Sequence, residues 1–188
     1  MRIIGGNYRG RALATLRGQS LRPTGERLRQ SFFDVLGDSV RDVVFVDCYA
    51  GSGVVGLEAL SRGAARVFLI EESEAAQRLI SRNLESLGFP RNAVLVGASV
   101  RRGLRRLAAE GVRAHFCFLD PPYDRSQERR RTLRWLAAGE LMELQGSLIV
   151  QHNKKDPPPD ALDHWRRARI LTQGSNALSF YCYLESEP

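Results

Sequence analysis

Short apolar runs recur along the chain and alternate with segments of helical periodicity. The runs are continuously apolar, as is typical of parallel strands covered on both faces; they lie at residues 43–46, 66–70, 93–96, 114–119 and 147–150. The segments with apolar residues every three or four positions predict helices; these lie at residues 27–36, 55–60, 74–87, 100–109 and 129–138. The alternation predicts an α/β domain of the doubly wound, Rossmann-like kind, with a mostly parallel sheet.

Both ends of the chain depart from this alternation. Residues 169–172 and 177–184 are apolar and separated by a short turn, which predicts a C-terminal antiparallel hairpin and a seven-stranded sheet. Residues 3–6 and 10–16 predict a small basic β-hairpin at the N-terminus. Pro23 favours an extended backbone there, and Thr24 is expected to cap the first helix. We therefore divide the chain into an N-terminal extension, residues 1–40, and an α/β domain, residues 41–188.

Composition narrows the class of protein. The 188 residues are 43% hydrophobic and 26% charged, as expected for one globular domain. No apolar run has the length of a membrane span, and the N-terminus has no signal-peptide pattern. The three cysteines lie far apart, which favours reduced thiols and a cytoplasmic protein. No residues have metal-ligand spacing, so we expect no metal.

Basic charge is concentrated at one end of the chain. The formal net charge is +7, and in the first thirty residues Glu26 is the only acid. Seven arginines share this segment: Arg2, Arg9, Arg11, Arg17, Arg22, Arg27 and Arg29. A GC-rich genome would explain the choice of arginine but not the missing acids, so the segment predicts a polyanionic partner such as nucleic acid. The candidate RNA-binding residues are Arg2, Arg9, Arg11, Arg22 and Arg27; the alternative is a solvated basic face.

A loop after the fourth predicted strand carries the candidate catalytic residues Asp120, Pro121, Pro122 and Tyr123. Two prolines end the strand and stiffen the chain. The carboxylate and a backbone carbonyl can accept N–H groups of an exocyclic amine, and the ring can stack on a planar base. Taken alone, the loop is equally compatible with an ordinary Asp-Pro turn.

A glycine-rich loop follows the first predicted strand and opens a helix. Gly51 and Gly53 allow a tight turn and close approach of a ligand. Glu71, at the end of the second strand, can accept both ribose hydroxyls of an adenosine. The spacing to Gly56 also matches the dinucleotide fingerprint, but Asp47 would disfavour a pyrophosphate and suits a cationic ligand. We therefore favour S-adenosylmethionine over NAD. The candidate cofactor-binding residues are Asp47, Ala50, Gly51, Ser52, Gly53, Glu71, Glu72, Ala98 and Ser99.

These motifs together resemble class I S-adenosylmethionine-dependent methyltransferases with the D-P-P-Y signature of amino-group methylation. More closely, the chain resembles the bacterial 16S ribosomal RNA guanine-N2 methyltransferases, the RsmD-like family. The matching segments are residues 2–6, 9–11, 22–24, 26–29, 33–36, 47–56, 57–64 and 120–123. The basic N-terminal segments and the L-E-A-L-S-R-G-A run are the more specific part of this likeness.

The resemblance implies methyl transfer from S-adenosylmethionine to the N2 amine of a guanine in 16S ribosomal RNA. It further implies a monomer that acts on the assembled small subunit. One departure is that residues 97–100 lack the aspartate that often binds the adenine amine, so backbone atoms or Ser99 would take that place. An adenine-N6 DNA methyltransferase, a glutamine-N5 protein methyltransferase and a non-catalytic RNA-binding domain of the same fold remain as alternatives.

Overall fold

The structure is a computed structural model that describes residues 1–15, 25–88, 90–122, 126–139 and 141–184. The residues singled out above that lie outside this part of the chain are Arg17, Arg22, Pro23, Thr24 and Tyr123. The helices are α1 (Glu26–Leu36), α2 (Val54–Ser61), α3 (Glu74–Ser86), α4 (Val100–Ala109) and α5 (Ser126–Ala138), with a 3₁₀ turn at Gly37–Val40. The strands are β1 (Val44–Cys48), β2 (Arg66–Glu71), β3 (Ala93–Gly97), β4 (Ala114–Leu119), β5 (Met142–Asn153), β6 (Ala161–Leu162), β7 (Trp165–Gln173) and β8 (Asn176–Tyr183). None of the described helices is long and apolar enough to cross a membrane.

All strands belong to one sheet with the order β3-β2-β1-β4-β5-β8-β7-β6. The first five strands are parallel, and β8, β7 and β6 add to them in antiparallel pairing. The predicted mostly parallel sheet with a C-terminal hairpin is therefore confirmed. The two-residue strand β6 was not predicted, and with it the sheet has eight strands within the described ranges, one more than the seven expected.

Helices cover both faces of the parallel part of the sheet. α1, α2 and α3 pack on one face, and α4 and α5 pack on the other. In β1, Phe45 faces the first layer and Val46 the second, and both are fully buried. Because successive side chains of a strand point to opposite faces, two covered faces require apolar residues at every position.

Helix α1 packs directly onto the sheet, although it belongs to the basic N-terminal region. The Phe32 ring lies 5.2 Å from that of Phe118 in β4 and 6.0 Å from that of Phe180 in β8. Tilted aromatic pairs of this kind stabilise a core beyond the area that they bury. The apolar side of α1 is thus part of the main core.

The N-terminal segment, residues 1–15, pairs with itself through a single β-bridge between Arg2 and Ala12. The N–H of Ile3 donates to the Arg11 carbonyl at 3.0 Å, so the turn predicted for a hairpin is present. Regular strands do not form, because the N–H groups of Ile4 and Gly5 donate to a side chain of α2. The expected small hairpin is therefore reduced to one bridge and is held against α2.

Candidate active site

The carboxyl ends of β1, β2, β3 and β4 lie at the same edge of the sheet, because these strands are parallel neighbours. Cys48, near the end of β1, pairs with Ile70 on one side and Leu119 on the other. The glycine-rich loop, Glu71 and Asp120 each follow or end one of these strands. The fold thus brings together two candidate sites that were predicted from separate motifs: the glycine-rich loop and the loop of the candidate catalytic residues, which is described at residues 120–122 and is called the catalytic loop below.

The glycine-rich loop, residues 49–53, is a tight turn with a left-handed backbone at three positions. Tyr49, Gly51 and Gly53 have φ angles of 62°, 56° and 77°. The Gly53 N–H donates to the Ala50 carbonyl at 2.7 Å and closes the turn before α2 begins. Among the described residues, a Cβ atom at Gly51 would meet only the Tyr49 carbonyl, at 3.9 Å, so this part of the structure leaves space for a ligand beside Gly51.

Glu71 joins the glycine-rich loop to the end of β2. One carboxylate oxygen accepts the Gly51 N–H at 2.8 Å, and the other accepts the Ser73 N–H at 2.8 Å. Each oxygen keeps further acceptor capacity, because a carboxylate oxygen has two lone-pair positions. Glu71 is therefore held beside the open space at Gly51 and can accept hydroxyl groups there.

Asp47 is buried behind the loop, with 2% of its surface exposed. Its Oδ2 accepts the Gly56 N–H of α2 at 2.8 Å. Burial raises the pKa of Asp47 to about 8, and the hydrogen bond from Gly56 opposes this rise. The negative charges of Asp120 and Glu71 raise it further. Three carboxyl groups thus converge here, and a cationic ligand would favour ionisation of Asp47.

The catalytic loop leaves β4 beside the end of β1. The Asp120 N–H donates to the Cys48 carbonyl at 3.4 Å, and the Asp120 side chain is half-buried. Pro121 is buried and Pro122 is exposed. Asp120 is close enough to Asp47 to influence its pKa, which brings the predicted acceptor site next to the predicted cofactor site.

The remaining candidate cofactor residues surround the end of β3. The Ala98 N–H donates to the Glu71 carbonyl at 3.0 Å, and Ala98 is half-buried. Ser99 is half-buried, and its Oγ accepts a hydrogen bond from Nε of Arg102 at 3.3 Å. Glu72 is exposed, whereas Glu71 faces the glycine-rich loop, so the geometry favours Glu71 as the residue that would bind a ribose.

Tyr49 is a site residue whose contacts were not foreseen from the sequence. Its hydroxyl donates to Oε1 of Glu128 in α5 at 3.0 Å and lies 3.5 Å from Oγ1 of Thr132. Burial raises the pKa of Tyr49, so the hydroxyl stays protonated. The contact links the glycine-rich loop to the helix that follows the catalytic loop. Its partners lie 79 and 83 residues away, beyond the reach of any local pattern.

The L-E-A-L-S-R-G-A run forms most of α2 and anchors the N-terminal segment. Glu58 has no exposed side-chain surface, and its two oxygens accept the N–H groups of Ile4 and Gly5, each at 2.8 Å. Its Oε2 lies 3.8 Å from Nε of Arg29, and Arg62 donates to its Oε1 at 2.9 Å. Burial lowers the pKa of Arg29, while the charge of Glu58 opposes that shift.

Two further polar side chains hold the same segment. The Oγ of Ser61 donates to the Gly5 carbonyl at 2.6 Å and accepts the Tyr8 N–H at 2.9 Å. Asn83 of α3 is 1% exposed; its Oδ1 accepts the Ala14 N–H at 2.7 Å, and its Nδ2 donates to the Ser52 carbonyl at 2.9 Å. Asn83 therefore connects the end of the N-terminal segment to the glycine-rich loop.

The basic N-terminal residues fall into two groups. Arg2, Arg9, Arg11 and Arg27 are exposed, as a surface for a polyanion requires. Arg2 also forms an exposed ion pair with Glu26 at 3.5 Å. Arg29 is fully buried and donates to the Arg2 carbonyl at 2.7 Å, so this arginine contributes to the core instead of the surface.

Comparison with known proteins identifies the family. The family model described as conserved hypothetical protein 95 matches residues 1–182. Ribosomal RNA small subunit methyltransferase D of Escherichia coli K12 is 33% identical over 181 residues, which are 96% of this chain and 89% of that protein. The Haemophilus influenzae protein of the same name is 30% identical over 184 residues, covering 96% and 93% of the two chains. The solved structure of a hypothetical protein from Thermus thermophilus superposes with a TM-score of 0.82 at 33% identity and covers 98% and 99% of the two chains. The chain therefore belongs to the ribosomal RNA small subunit methyltransferase D family.

Proposed function

We propose that the protein transfers a methyl group from S-adenosylmethionine to the exocyclic N2 amine of a guanine in 16S ribosomal RNA. The observation that carries this proposal is the convergence of Asp47, Glu71 and Asp120 at one edge of the sheet, around the open space beside Gly51. Membership of the methyltransferase D family supports ribosomal RNA as the substrate. The choice of guanine N2 rests on the resemblance of the sequence motifs.

The residues at this edge fit a cationic adenosine cofactor. Glu71 would accept the ribose hydroxyls, and Asp47 would balance the amino group of the methionine part. Ala50, Gly51, Ser52 and Gly53 would line the cofactor with backbone atoms; Glu72, Ala98 and Ser99 would lie at its adenine side. When bound, S-adenosylmethionine supplies an electrophilic methyl group on a positively charged sulfur.

The catalytic loop would hold the acceptor amine. Asp120 and the Pro121 carbonyl would accept the two N–H groups of the amine and orient its lone pair toward the methyl group. After transfer the nitrogen carries an extra proton, and the Asp120 carboxylate or water takes it up. Pro122 stiffens the loop, and Tyr123 would stack on the base once it has left the RNA helix.

The N-terminal region would bind the RNA outside the reacting base. We infer that residues 1–40 act as an RNA-binding extension of the catalytic domain at residues 41–188. Arg2, Arg9, Arg11, Arg22 and Arg27 would contact phosphates. The substrate would be the assembled small subunit, and the protein would act as a monomer.

One experiment tests the reaction itself. The protein is incubated with labelled S-adenosylmethionine and, in separate reactions, with small ribosomal subunits that lack the mark, naked 16S ribosomal RNA, duplex DNA and a release factor. Nuclease or protease digestion and mass spectrometry then identify the product. We expect N2-methylguanosine from the subunits. A methylated adenine or glutamine, without N2-methylguanosine, would refute the proposal.

A second experiment tests the role of the catalytic loop. We expect Asp120→Ala to abolish methyl transfer while calorimetry still detects cofactor binding, because Asp120 acts on the amine. Glu85→Ala removes an exposed carboxylate of α3, outside the proposed RNA-binding extension, and serves as the matched control. Loss of both transfer and cofactor binding in Asp120→Ala would contradict the assigned role.

A further inference from the structure

A cleft of about 660 Å³ lies between α4 and α5. Arg101 and Arg105 line it from α4, and Arg131 and Trp135 line it from α5. From the sequence, the arginines of these two helices belong to separate basic runs, each interpreted as a solvated helix face with RNA contact as the alternative. The fold instead places three of them around one cleft.

Three guanidinium groups and one carboxylate, that of Glu128, line this cleft, so its charges are not balanced. Within the described ranges, the guanidinium groups of Arg101, Arg105 and Arg131 form no ion pair with a carboxylate. Arg106, on another side of α4, does pair with Glu110 at 2.8 Å. Unpaired like charges that face one cleft attract an anion.

The cleft opens beside the candidate active site. Arg101 is the second residue of α4, shortly after Ser99, and α5 begins shortly after Pro122. Glu128, which also lines the cleft, accepts the hydroxyl of Tyr49 from the glycine-rich loop. A strand of RNA whose target base lies at the catalytic loop would therefore reach this cleft within a short distance.

The lining suits a nucleotide better than a simple anion. Trp135 is half-buried, Leu104 is 1% exposed, and Thr132 adds a hydroxyl. An aromatic ring on an apolar floor can stack on a base, while the guanidinium groups bind the adjacent phosphates. We propose that the α4/α5 cleft binds a nucleotide of the substrate RNA that flanks the target guanine. This inference rests on the proposed function, because it takes RNA as the substrate.

The first test removes two of the charges. In Arg105→Ala/Arg131→Ala, we expect KM for small ribosomal subunits to rise about tenfold with kcat little changed. The slope of log affinity against log salt should become shallower by about 1.5 to 2, because two phosphate contacts are lost. Cofactor affinity, measured by calorimetry, should stay as in the unmodified protein.

The matched control removes two arginines of the same helices that do not line the cleft. Arg106→Ala/Arg130→Ala lowers the net charge by the same amount, and both residues are exposed. We expect its KM and salt slope to stay close to those of the unmodified protein. An equal effect of the two double variants, or no effect of the first, would overturn the proposal.

The second test addresses the stacked base. Trp135→Leu should raise KM about tenfold, and Trp135→Phe, which keeps an aromatic face, should restore most of the lost affinity. Thermal unfolding of both variants shows whether the fold is kept. Equal KM values for the Leu and Phe variants, both folded, would exclude stacking at this position.

Different results would refute the proposed function and the proposed role of the cleft. A product other than N2-methylguanosine would refute the proposed function, and binding of labelled subunits would still show whether the cleft arginines contact RNA. Formation of N2-methylguanosine with unchanged KM and salt slope in the Arg105→Ala/Arg131→Ala variant would refute the cleft alone.

Discussion

Replacement of Glu58 by glutamine is expected to cost far more stability than its conservative nature suggests. The substitution keeps the shape of the side chain and removes its charge. Glu58 and Arg29 are both fully buried, and Glu58 also accepts two backbone N–H groups of the N-terminal segment. We therefore expect the change to act both on the core and on the docking of residues 1–15.

The magnitude follows from what remains after the substitution. Removal of one partner from a buried ion pair leaves an uncompensated charge and costs about 3 to 5 kcal/mol. Arg29 is already poorly compensated, because its Nε and Nη1 have no hydrogen-bond partner within the described part of the chain. The glutamine NH₂ group would also face either the Ile4 or the Gly5 N–H, so one hydrogen bond of the anchor is lost. We expect the free energy of unfolding to fall by about 3 to 5 kcal/mol.

Urea unfolding measures the total effect, and amide hydrogen exchange at Ile4 and Gly5 shows whether the N-terminal segment is released first. Glu74→Gln is the matched control, because Glu74 forms an exposed i,i+4 pair with Arg78 at 3.4 Å. Its expected cost is below about 0.5 kcal/mol. A loss of less than about 1 kcal/mol in Glu58→Gln, with the Ile4 and Gly5 amides as protected as before, would refute this reasoning.

Three other variants test the site, its support and the basic surface. Below about pH 8 the free protein keeps Asp47 protonated, so binding of cationic S-adenosylmethionine at pH 7 should release about one proton. Calorimetry in buffers of different ionisation enthalpy measures this release, which should vanish in Asp47→Asn; persistence of the release would assign it to another group. Asn83→Ala should lower the free energy of unfolding by about 1 to 3 kcal/mol and weaken cofactor binding, since it removes the hydrogen bonds of Asn83 to Ala14 and to the glycine-rich loop. An unchanged free energy of unfolding in urea and an unchanged cofactor affinity in calorimetry would show that Asn83 does not support the loop. Arg9→Ser/Arg11→Ser should flatten the salt dependence of RNA binding, and an unaltered slope would make these arginines a solvated face.

The parallel strands could be predicted from the sequence because both of their faces are covered. Continuous apolar runs marked β1 to β4 to within two residues at each end. The same rule predicted only residues 147–150 of β5, because residues 142–146 mix polar and apolar side chains, and because Gln151 and His152 are polar but buried. His152 is 1% exposed and its Nε2 lies 2.8 Å from Oγ of Ser179, so a hydrogen bond satisfies it where the pattern required an apolar residue. The two-residue strand β6 is too short to have a pattern.

The residues of the candidate site also fall into two groups: those whose meeting the sequence could predict and those whose contacts it could not. Asp47, Glu71 and Asp120 stand next to strand ends, and neighbouring strand ends meet in a parallel sheet, so their convergence could be expected from spacing. Glu58 and Asn83 stand in helices, and their partners in the N-terminal segment are 53 to 69 residues away in sequence. Only the packed structure brings these groups together, and no periodicity within α2 or α3 distinguishes them from ordinary polar positions.

The polar contacts that hold the N-terminal segment are made to its main chain. Glu58 binds backbone N–H groups, Ser61 binds backbone groups of Gly5 and Tyr8, and Asn83 binds those of Ala14. Of its side chains, Ile3 and Leu13 are buried in the core, and at Gly6 a Cβ would meet the Ser61 carbonyl oxygen at 1.8 Å, so these positions are fixed by packing. The exposed side chains of the segment are not needed for docking and can change without loss of the anchor. Docking of the segment onto α2 and α3 and its proposed contact with RNA therefore depend on different groups. A segment with other exposed residues could dock on the same helices and present a different surface to RNA.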